Sequence, residues 1–249
     1  MDGVTITPPE IFAWADENKT TPKTSAASPG EAVELLKPYA DSGRDVVCIA
    51  ISDAFSTTGN VLRMTADAIN EEAGRTQVHV INSANLSTGI GLLVLEAATM
   101  AKEGMKAEQI VENIEALIPK VRASFVVDTL TYLHRGGRCS GLAALAGGAL
   151  KLHPQIVVKD GKMDVAKKYR GNMKKVLLEY TKEMTDALMQ AKKNRVFITH
   201  SGCDKEVVDS IREYITGLGI FEEILETTAG GVISSHCGPG TLGVLFIED

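Results

Sequence analysis

The stretch Asp45–Gly59 reads DVVCIAISDAFSTTG and decides the fold class of the chain. It begins with an almost continuous apolar run of strand length, which is typical of a buried strand in a parallel sheet. A turn rich in hydroxyl side chains follows, and then a helical pattern from about Asn60 to Ala73. Val78–Gly89, VHVINSANLSTG, repeats the order of strand, polar turn and helix. Repeated units of this kind predict a parallel sheet with right-handed crossovers.

The second half of the chain has a different pattern. Gln155–Ala166 carries Asp160-Gly161 between two alternating runs, which predicts a hairpin with a two-residue turn. Helices and strands then alternate up to a last predicted strand, Gly240–Ile247. We therefore predict an α/β fold with two domains. Residues 1–150 would form a parallel-sheet βαβ domain, and residues 151–249 a second α/β domain with antiparallel strands.

The junction between the two halves, Phe125–Pro154, combines three features. It starts as a buried strand, passes through Arg135-Gly136-Gly137-Arg138, and continues as an apolar helix of small residues, Ala143–Ala149. A helix that is apolar on all sides must be buried, and small side chains let another element or a long thin ligand come close to its backbone. The glycine loop between two arginines could hold a phosphate or could be a structural turn.

The composition of the chain argues against several classes of protein. The 249 residues are 44% hydrophobic and 23% charged, with a net charge of −6, which is typical of a soluble globular protein and argues against nucleic-acid binding. No apolar run approaches the roughly 20 residues that span a bilayer, and the N-terminus MDGVTITPPE lacks a signal-peptide pattern. The four dispersed cysteines predict neither a zinc site nor a disulfide framework. We expect a cytoplasmic protein with at most transient membrane contact.

Two turns rich in hydroxyl groups, Ser52–Thr58 and Ser83–Thr88, each follow a strand and precede a helix. Because ligands of parallel sheets bind at the carboxyl ends of the strands, these turns are candidates for an anion site built from hydroxyl and backbone N–H groups. The same side chains could simply cap their helices. Neither turn contains a nucleotide-binding fingerprint.

His236 lies among glycines and serines in SSHCGPG, which we predict to be a loop. It could act as a general base, a phosphate contact or a ligand-binding residue. With Ser56 or Ser83 it could form a Ser-His esterase or acyltransferase, although the chain has no G-x-S-x-G motif. Arg170 ends a cationic cluster, KKYRG, whose simplest interpretation is a solvated surface.

Several motifs, taken together, resemble one known family, the DegV family, over nearly the whole chain. The motifs that carry the resemblance are Pro22-Lys23-Thr24-Ser25 with Ser28-Pro29-Gly30, Ile51-Ser52 through Ser56-Thr57-Thr58, Val127-Asp128-Thr129-Leu130 with Tyr132-Leu133 and Arg135-Gly136-Gly137-Arg138, and His236-Cys237-Gly238-Pro239-Gly240.

The resemblance implies a fatty-acid-binding protein of two α/β domains, with the acyl chain in a tunnel between them. Members of the family act as the binding subunit of a fatty acid kinase. They present the carboxylate to a separate ATP-using partner that makes an acyl-phosphate, so the chain itself would be no catalyst. The expected ligand is a long-chain fatty acid, and no cofactor or metal is expected. A lipid-sensing regulatory protein without a kinase is an alternative.

The resemblance also assigns site residues. It implies that Thr24 and Ser56 hydrogen-bond the carboxylate, together with Thr57 and Ser83, and that Arg170 and His236 face the head group or the partner.

Two departures from the family pattern affect this site. Thr57 stands where the family usually has glycine, and Asn82 stands where it usually has aspartate. The resemblance further implies that the family's first strand and helix precede the segment present in this chain.

Simple energetics agree with a lipid ligand. Burying a sixteen-carbon chain at about 0.8 kcal/mol per methylene gives a gross gain of roughly 12 kcal/mol. Desolvating a carboxylate that keeps several hydrogen bonds costs only a few kcal/mol. A site lined by hydroxyl groups, without a fixed ion pair, is therefore sufficient to hold a fatty acid.

Overall fold

The computed structural model of the chain describes residues 5–138 and 152–249. The helix predicted over Ala143–Ala149 lies outside the described residues. The elements of the described residues, in chain order, are α1 (Pro8–Asn18), α2 (Pro29–Asp41), β1 (Val46–Ala50), α3 (Thr58–Ala73), β2 (Val78–Asn82), α4 (Thr88–Lys102), α5 (Ala107–Leu117), a 3-10 turn (Ile118–Lys120), β3 (Val121–Val126), α6 (Thr131–Arg135), β4 (Leu152–Lys159), β5 (Lys162–Arg170), α7 (Met173–Glu183), α8 (Thr185–Leu188), β6 (Ala191–Ser201), α9 (Lys205–Gly217), β7 (Glu223–Thr228), α10 (Gly231–Cys237) and β8 (Thr241–Glu248).

These elements form two compact units. The smaller unit is Ser25–Val121 with the turn Asp160–Lys162, and the larger one contains the described residues of Met1–Thr24, Arg122–Lys159 and Met163–Asp249. The predicted change of domain near residue 150 therefore falls between two parts of the chain that belong to the same unit. The reason is that β3 pairs with β4, the strand that follows residue 150, in an antiparallel ladder.

In the smaller unit, β1 and β2 pair in parallel, with Val46 opposite Val78 and Ala50 opposite Asn82. This confirms the parallel strands predicted from the repeated units. Small and branched apolar side chains of α2 and α3 pack on the strands, namely Ala32, Leu36, Ala40, Leu62, Ala66 and Ile69.

The smaller unit differs from the prediction in the burial of β1. Val46–Ile49 are half-buried rather than buried, because β1 has a single paired neighbour among the described residues. A strand with a free edge is in contact with solvent on that side.

The larger unit contains a mixed sheet of six strands in the order β5-β4-β3-β8-β6-β7. The pairs β3–β4 and β6–β8 are antiparallel, whereas β6–β7 is parallel. β4 and β5 form the predicted hairpin, and both turn residues have positive φ angles, 49° at Asp160 and 74° at Gly161. Such angles are those that a tight two-residue hairpin turn requires. The prediction of a unit with antiparallel strands is confirmed.

The core of the larger unit lies between the sheet and helices α7 and α9, which contribute the buried residues Val176, Leu177, Tyr180, Val208, Ile211 and Ile215. The hydroxyl of Tyr180 donates a hydrogen bond to the carbonyl oxygen of Ser124 at 2.9 Å and accepts one from the Val244 N–H at 3.1 Å. Tyr180 thereby connects β3 to β8. None of the helices in the described ranges has the length and apolar character that crossing a membrane requires.

Candidate functional site

Thr24 and His236, two residues predicted to belong to the site, contact each other in the larger unit. Thr24 Oγ1 lies 2.9 Å from His236 Nε2, although the two residues are 212 positions apart in the sequence. Both side chains are partly buried. The structure thus brings together two of the six predicted site residues by a direct hydrogen bond.

His236 occupies the last turn of a helix, whereas the sequence predicts a loop at this position. Helix α10 runs from Gly231 to Cys237. The hydroxyl of Ser235 donates to the Gly231 carbonyl at 2.7 Å, and that of Ser234 donates to the Ala229 carbonyl at 3.1 Å. These bonds satisfy the buried hydroxyl groups of the two serines. Glycine, valine and serine are weak helix formers, and the local sequence therefore does not predict a helix here.

The helix ends at a glycine that the local geometry requires. Gly238 has a φ of 78°, a conformation that L side chains rarely adopt. A Cβ atom there would also lie 2.6 Å from the ring of Tyr132. The Gly-Pro-Gly segment that follows Cys237 therefore determines where α10 ends, and with it the position of the His236 backbone.

The N-terminal helix supports the same region. Helix α1 packs on α10, and α10 packs on α6. The rings of Phe12 and Tyr132 meet edge to face, with their centroids 6.2 Å apart, while Ile11 and Ala15 are buried. Because α1 is anchored in this way, the segment that follows it brings Thr24 to His236.

The Arg-Gly-Gly-Arg motif forms the other side of the histidine. A Cβ atom at Gly136 would overlap the imidazole of His236, so the ring rests directly on the glycine backbone. Arg138 Nη1 donates to the Gly136 carbonyl at 2.8 Å. The sequence alone is compatible with either a phosphate-binding loop or a structural turn at this motif. What indicates a role at the site is that the Arg-Gly-Gly-Arg motif and the histidine motif occur in the same chain.

Burial, and secondarily the Arg138 cation, lowers the pKa of His236 from 6.5 to about 4. The imidazole is therefore neutral at physiological pH and carries one ring proton. Nδ1 is buried without a hydrogen-bond partner among the described residues. Because a buried orphan N–H is costly, the proton belongs on Nε2, which then donates to Thr24 Oγ1. In this arrangement the hydroxyl proton of Thr24 is free to donate to another acceptor.

In the smaller unit, Ser56 lies at the start of α3. Its Oγ accepts a hydrogen bond from the Thr58 N–H at 3.2 Å and lies 2.9 Å from Thr58 Oγ1. Thr57 is exposed. Ser56 thus makes its hydrogen bonds within the turn before α3, whereas Thr57, the N-cap residue of that helix, makes no side-chain capping bond.

Ser83 is fully buried in the turn after β2. Its hydroxyl accepts from the Asn85 N–H at 3.1 Å and donates to the Asn85 carbonyl at 3.3 Å. Both hydrogen-bonding directions of the hydroxyl are thus used inside the turn.

Asn82, one of the departures from the family pattern, has a clear physical role. Its Nδ2 donates to Asp53 Oδ2 at 3.1 Å, and Arg63 Nη2 contacts both oxygens of the same carboxylate at 2.9 Å. The bond joins the turn after β1 to the end of β2. An aspartate at position 82 would put a second negative charge against Asp53, so the amide suits this local arrangement.

Arg170, the remaining predicted residue, is the last residue of β5 and is exposed. Among the described residues, no hydrogen bond or ion pair joins it to Thr24 or His236. In the described part of the chain, no group of three His, Cys, Asp or Glu side chains is placed to hold a metal ion.

Comparisons with known proteins agree with these motifs. The model of the DegV family, described as uncharacterised protein, DegV family, matches residues 1–249. A DegV domain-containing protein of Caldanaerobacter subterraneus subsp. tengcongensis is 31% identical over 249 residues, which cover 99% of this chain and 86% of the relative.

Solved structures share the fold. "Fatty Acid Binding of a DegV family Protein from Thermus thermophilus" matches with 32% identity and a TM-score of 0.88, covering 100% of this chain and 86% of the other. The Streptococcus pneumoniae Fatty Acid Kinase (Fak) B3 protein loaded with linoleic acid matches with 20% identity and a TM-score of 0.84, covering 99% and 85%. At 20% identity the likeness is one of fold alone. The family match and the 31% identical relative together establish that the chain belongs to the DegV family.

Proposed function

We propose that this protein binds a long-chain fatty acid and that Thr24 donates a hydrogen bond to its carboxylate. The observation that carries the proposal is the hydrogen bond between Thr24 and a neutral His236. Because His236 Nε2 supplies the proton of that bond, the Thr24 hydroxyl is oriented to donate outward. A donor whose direction is fixed in this way suits an anionic oxygen.

The surroundings of the pair favour an anion as well. Arg138 is close enough to depress the pKa of His236, so its positive charge also acts on a ligand at Thr24. No carboxylate side chain forms an ion pair with His236 in the described residues. The relative from Thermus thermophilus, 32% identical over the whole chain, is a fatty-acid-binding DegV protein.

We further propose that the loaded protein presents the carboxylate to a partner kinase and is not itself a catalyst. Arg170 is exposed and has no acidic partner within the described residues, so it is available to a second protein. The Fak B3 protein of the same fold is named as part of a fatty acid kinase. The contribution of Ser56, Thr57 and Ser83 to carboxylate binding, the tunnel between two domains and the cytoplasmic location stay predictions.

The esterase alternative is opposed by the chemistry of the candidate residues. A histidine whose pKa is about 4 is a weak general base at neutral pH. Its Nδ1 has no orienting partner in the described part of the chain, whereas a catalytic histidine of this type is held by a third group. The hydroxyl of Ser83 is also fully engaged with Asn85.

The deciding experiment is organic extraction of the purified protein followed by mass spectrometry, for which we expect one fatty acid per chain. An empty protein that also fails to bind added oleate would refute the proposal. ATP-dependent formation of oleoyl phosphate with a fatty acid kinase subunit then separates a kinase subunit from a regulatory lipid sensor. The His236→Ala variant should keep its lipid, because burial of the acyl chain supplies most of the binding energy. It should lose this transfer, because the Thr24 hydroxyl at the carboxylate is no longer oriented. Turnover of an acyl ester by the wild type alone, abolished in the variant, would instead establish the esterase.

A further inference from the structure

His153 is a buried histidine whose two ring nitrogens both face oxygen atoms. It lies near the start of β4 and is only 6% exposed. Nδ1 is 3.2 Å from the carbonyl oxygen of Asp128 and 3.2 Å from its Oδ1 carboxylate oxygen. Nε2 is 3.0 Å from the carbonyl oxygen of Gly171. The ring therefore bridges the residues that follow β3 and those that follow β5.

Each ring nitrogen of His153 thus has an oxygen acceptor within hydrogen-bond distance. A ring with one proton donates to one of the two sides, and a ring with two protons donates to both. No other natural side chain places two nitrogen donors on opposite sides of a rigid ring. A glutamine, which has a similar length, can offer its amide N–H groups to only one side.

The turn that His153 holds has few other restraints. Gly171 has a φ of 117°, and no atom of the described residues lies within 4 Å of where its Cβ would be. Asn172 next to it caps α7, because its side chain accepts from the Lys174 N–H at 3.0 Å. β5 is also an edge strand of the six-stranded sheet. Within the described part of the chain, the contact with His153 ties this turn to β4, the neighbouring strand.

Arg170 immediately precedes the turn. We propose that His153 is a positioning residue, which fixes the turn at Gly171 and so the direction in which Arg170 faces the partner kinase. This inference rests on the proposed function, which gives Arg170 its role toward the partner. His153 touches neither Thr24 nor His236 by any hydrogen bond in the described residues, so we expect lipid binding to be unchanged when it is replaced.

The test compares His153→Gln, Arg170→Ala and the double variant, each loaded with oleate, as substrates of a fatty acid kinase subunit. We expect each single variant to raise the KM for the loaded protein about tenfold, with kcat changed less than twofold and oleate content unchanged. Because one residue acts through the other, the double variant should raise KM no further than Arg170→Ala. Gly171→Ala, which strains the turn while leaving His153 in place, should raise KM in the same way.

His200→Gln is the matched control, because His200 is an almost buried histidine near the end of another strand of the same sheet and does not contact Gly171. It should leave KM unchanged. An unchanged KM in His153→Gln, or a multiplicative effect in the double variant, would overturn the positioning role while leaving the proposed function intact. Arg170→Ala with the KM of the wild type would overturn both the role of Arg170 and this inference. In each variant the shift of the Gly171 amide NMR signal, relative to that in His200→Gln, reports whether the turn has moved.

Discussion

Thr24 and His236 are joined by a hydrogen bond of 2.9 Å between Thr24 Oγ1 and His236 Nε2. The bond connects the end of the N-terminal segment to a helix close to the C-terminus, and it does so inside one compact unit. Its chemical consequence is a threonine hydroxyl whose proton is directed away from the histidine.

Replacing Thr24 by valine keeps the shape of the side chain and removes the donor. A hydrogen bond to a charged group contributes about 1.5–3 kcal/mol, so we expect oleate affinity to fall about 10- to 100-fold. Isothermal titration of delipidated protein measures the change. Thr24→Ser retains the hydroxyl and should bind within about threefold of the wild type, since only a methyl group is lost. Equal affinities for the valine and serine variants would show that Thr24 does not contact the carboxylate.

The pKa of His236 can be read directly by NMR titration of its ring signals. We expect a midpoint at about 4. Burial is the larger cause and Arg138 the smaller one, so Arg138→Gln should move the midpoint upward yet leave it below 6.5. A midpoint that does not respond to this substitution would mean that the arginine charge does not reach the imidazole.

The same pKa shift has a consequence for stability. In the folded protein His236 protonates only near pH 4, whereas in the unfolded chain it protonates near the ordinary value of 6.5. Between these values the unfolded state binds more protons, so the contribution of His236 to stability is complete above pH 6.5 and is lost as the pH falls toward 4. Urea unfolding at pH 7 and pH 5 should show this loss in the wild type and less of it in His236→Gln.

The regular elements were largely predictable, because apolar periodicity and turn residues determine them locally. The strand pair β1–β2, the helix between them and the Asp160-Gly161 hairpin all appear near the expected positions. Helix α10 was missed, since a segment of glycine, valine and serine has weak helix propensity and is held by its packing on α1 and α6.

The contacts between segments that are far apart in the sequence were harder to predict. No local signal in the first 24 residues indicates that they pack with the C-terminal half of the chain. The family motifs identified Thr24 and His236 separately, but their hydrogen bond depends on that packing. Ser83 shows a different limit of sequence-based prediction. The hydroxyl-rich turn around it suggested a contact with a ligand, but the sequence could not reveal that Ser83 is buried and bonded to Asn85.

Gly136 tests how closely the glycine motif holds His236. Its φ of −73° suits any residue, so Gly136→Ala adds only a methyl group that overlaps the imidazole. We expect a loss of about 1–3 kcal/mol in the free energy of unfolding, the usual cost of overpacking. In the background of His236→Ala the same substitution should cost much less, because the ring is absent. Gly217→Ala, at a glycine with open space around it, is the control and should change stability by less than about 1 kcal/mol.

Tyr180 provides a test of the core that is independent of the ligand. Its hydroxyl is fully buried, and burial raises its pKa to about 12, so it stays protonated and donates to the Ser124 carbonyl while accepting from the Val244 N–H. Tyr180→Phe leaves both backbone groups without this partner, and we expect a loss of about 1–3 kcal/mol in the free energy of unfolding. Tyr39→Phe, at a side chain that is 50% exposed, should cost less than about 0.5 kcal/mol. If chemical denaturation gave the same small change for both variants, Tyr180 would fill space in the core without connecting β3 to β8.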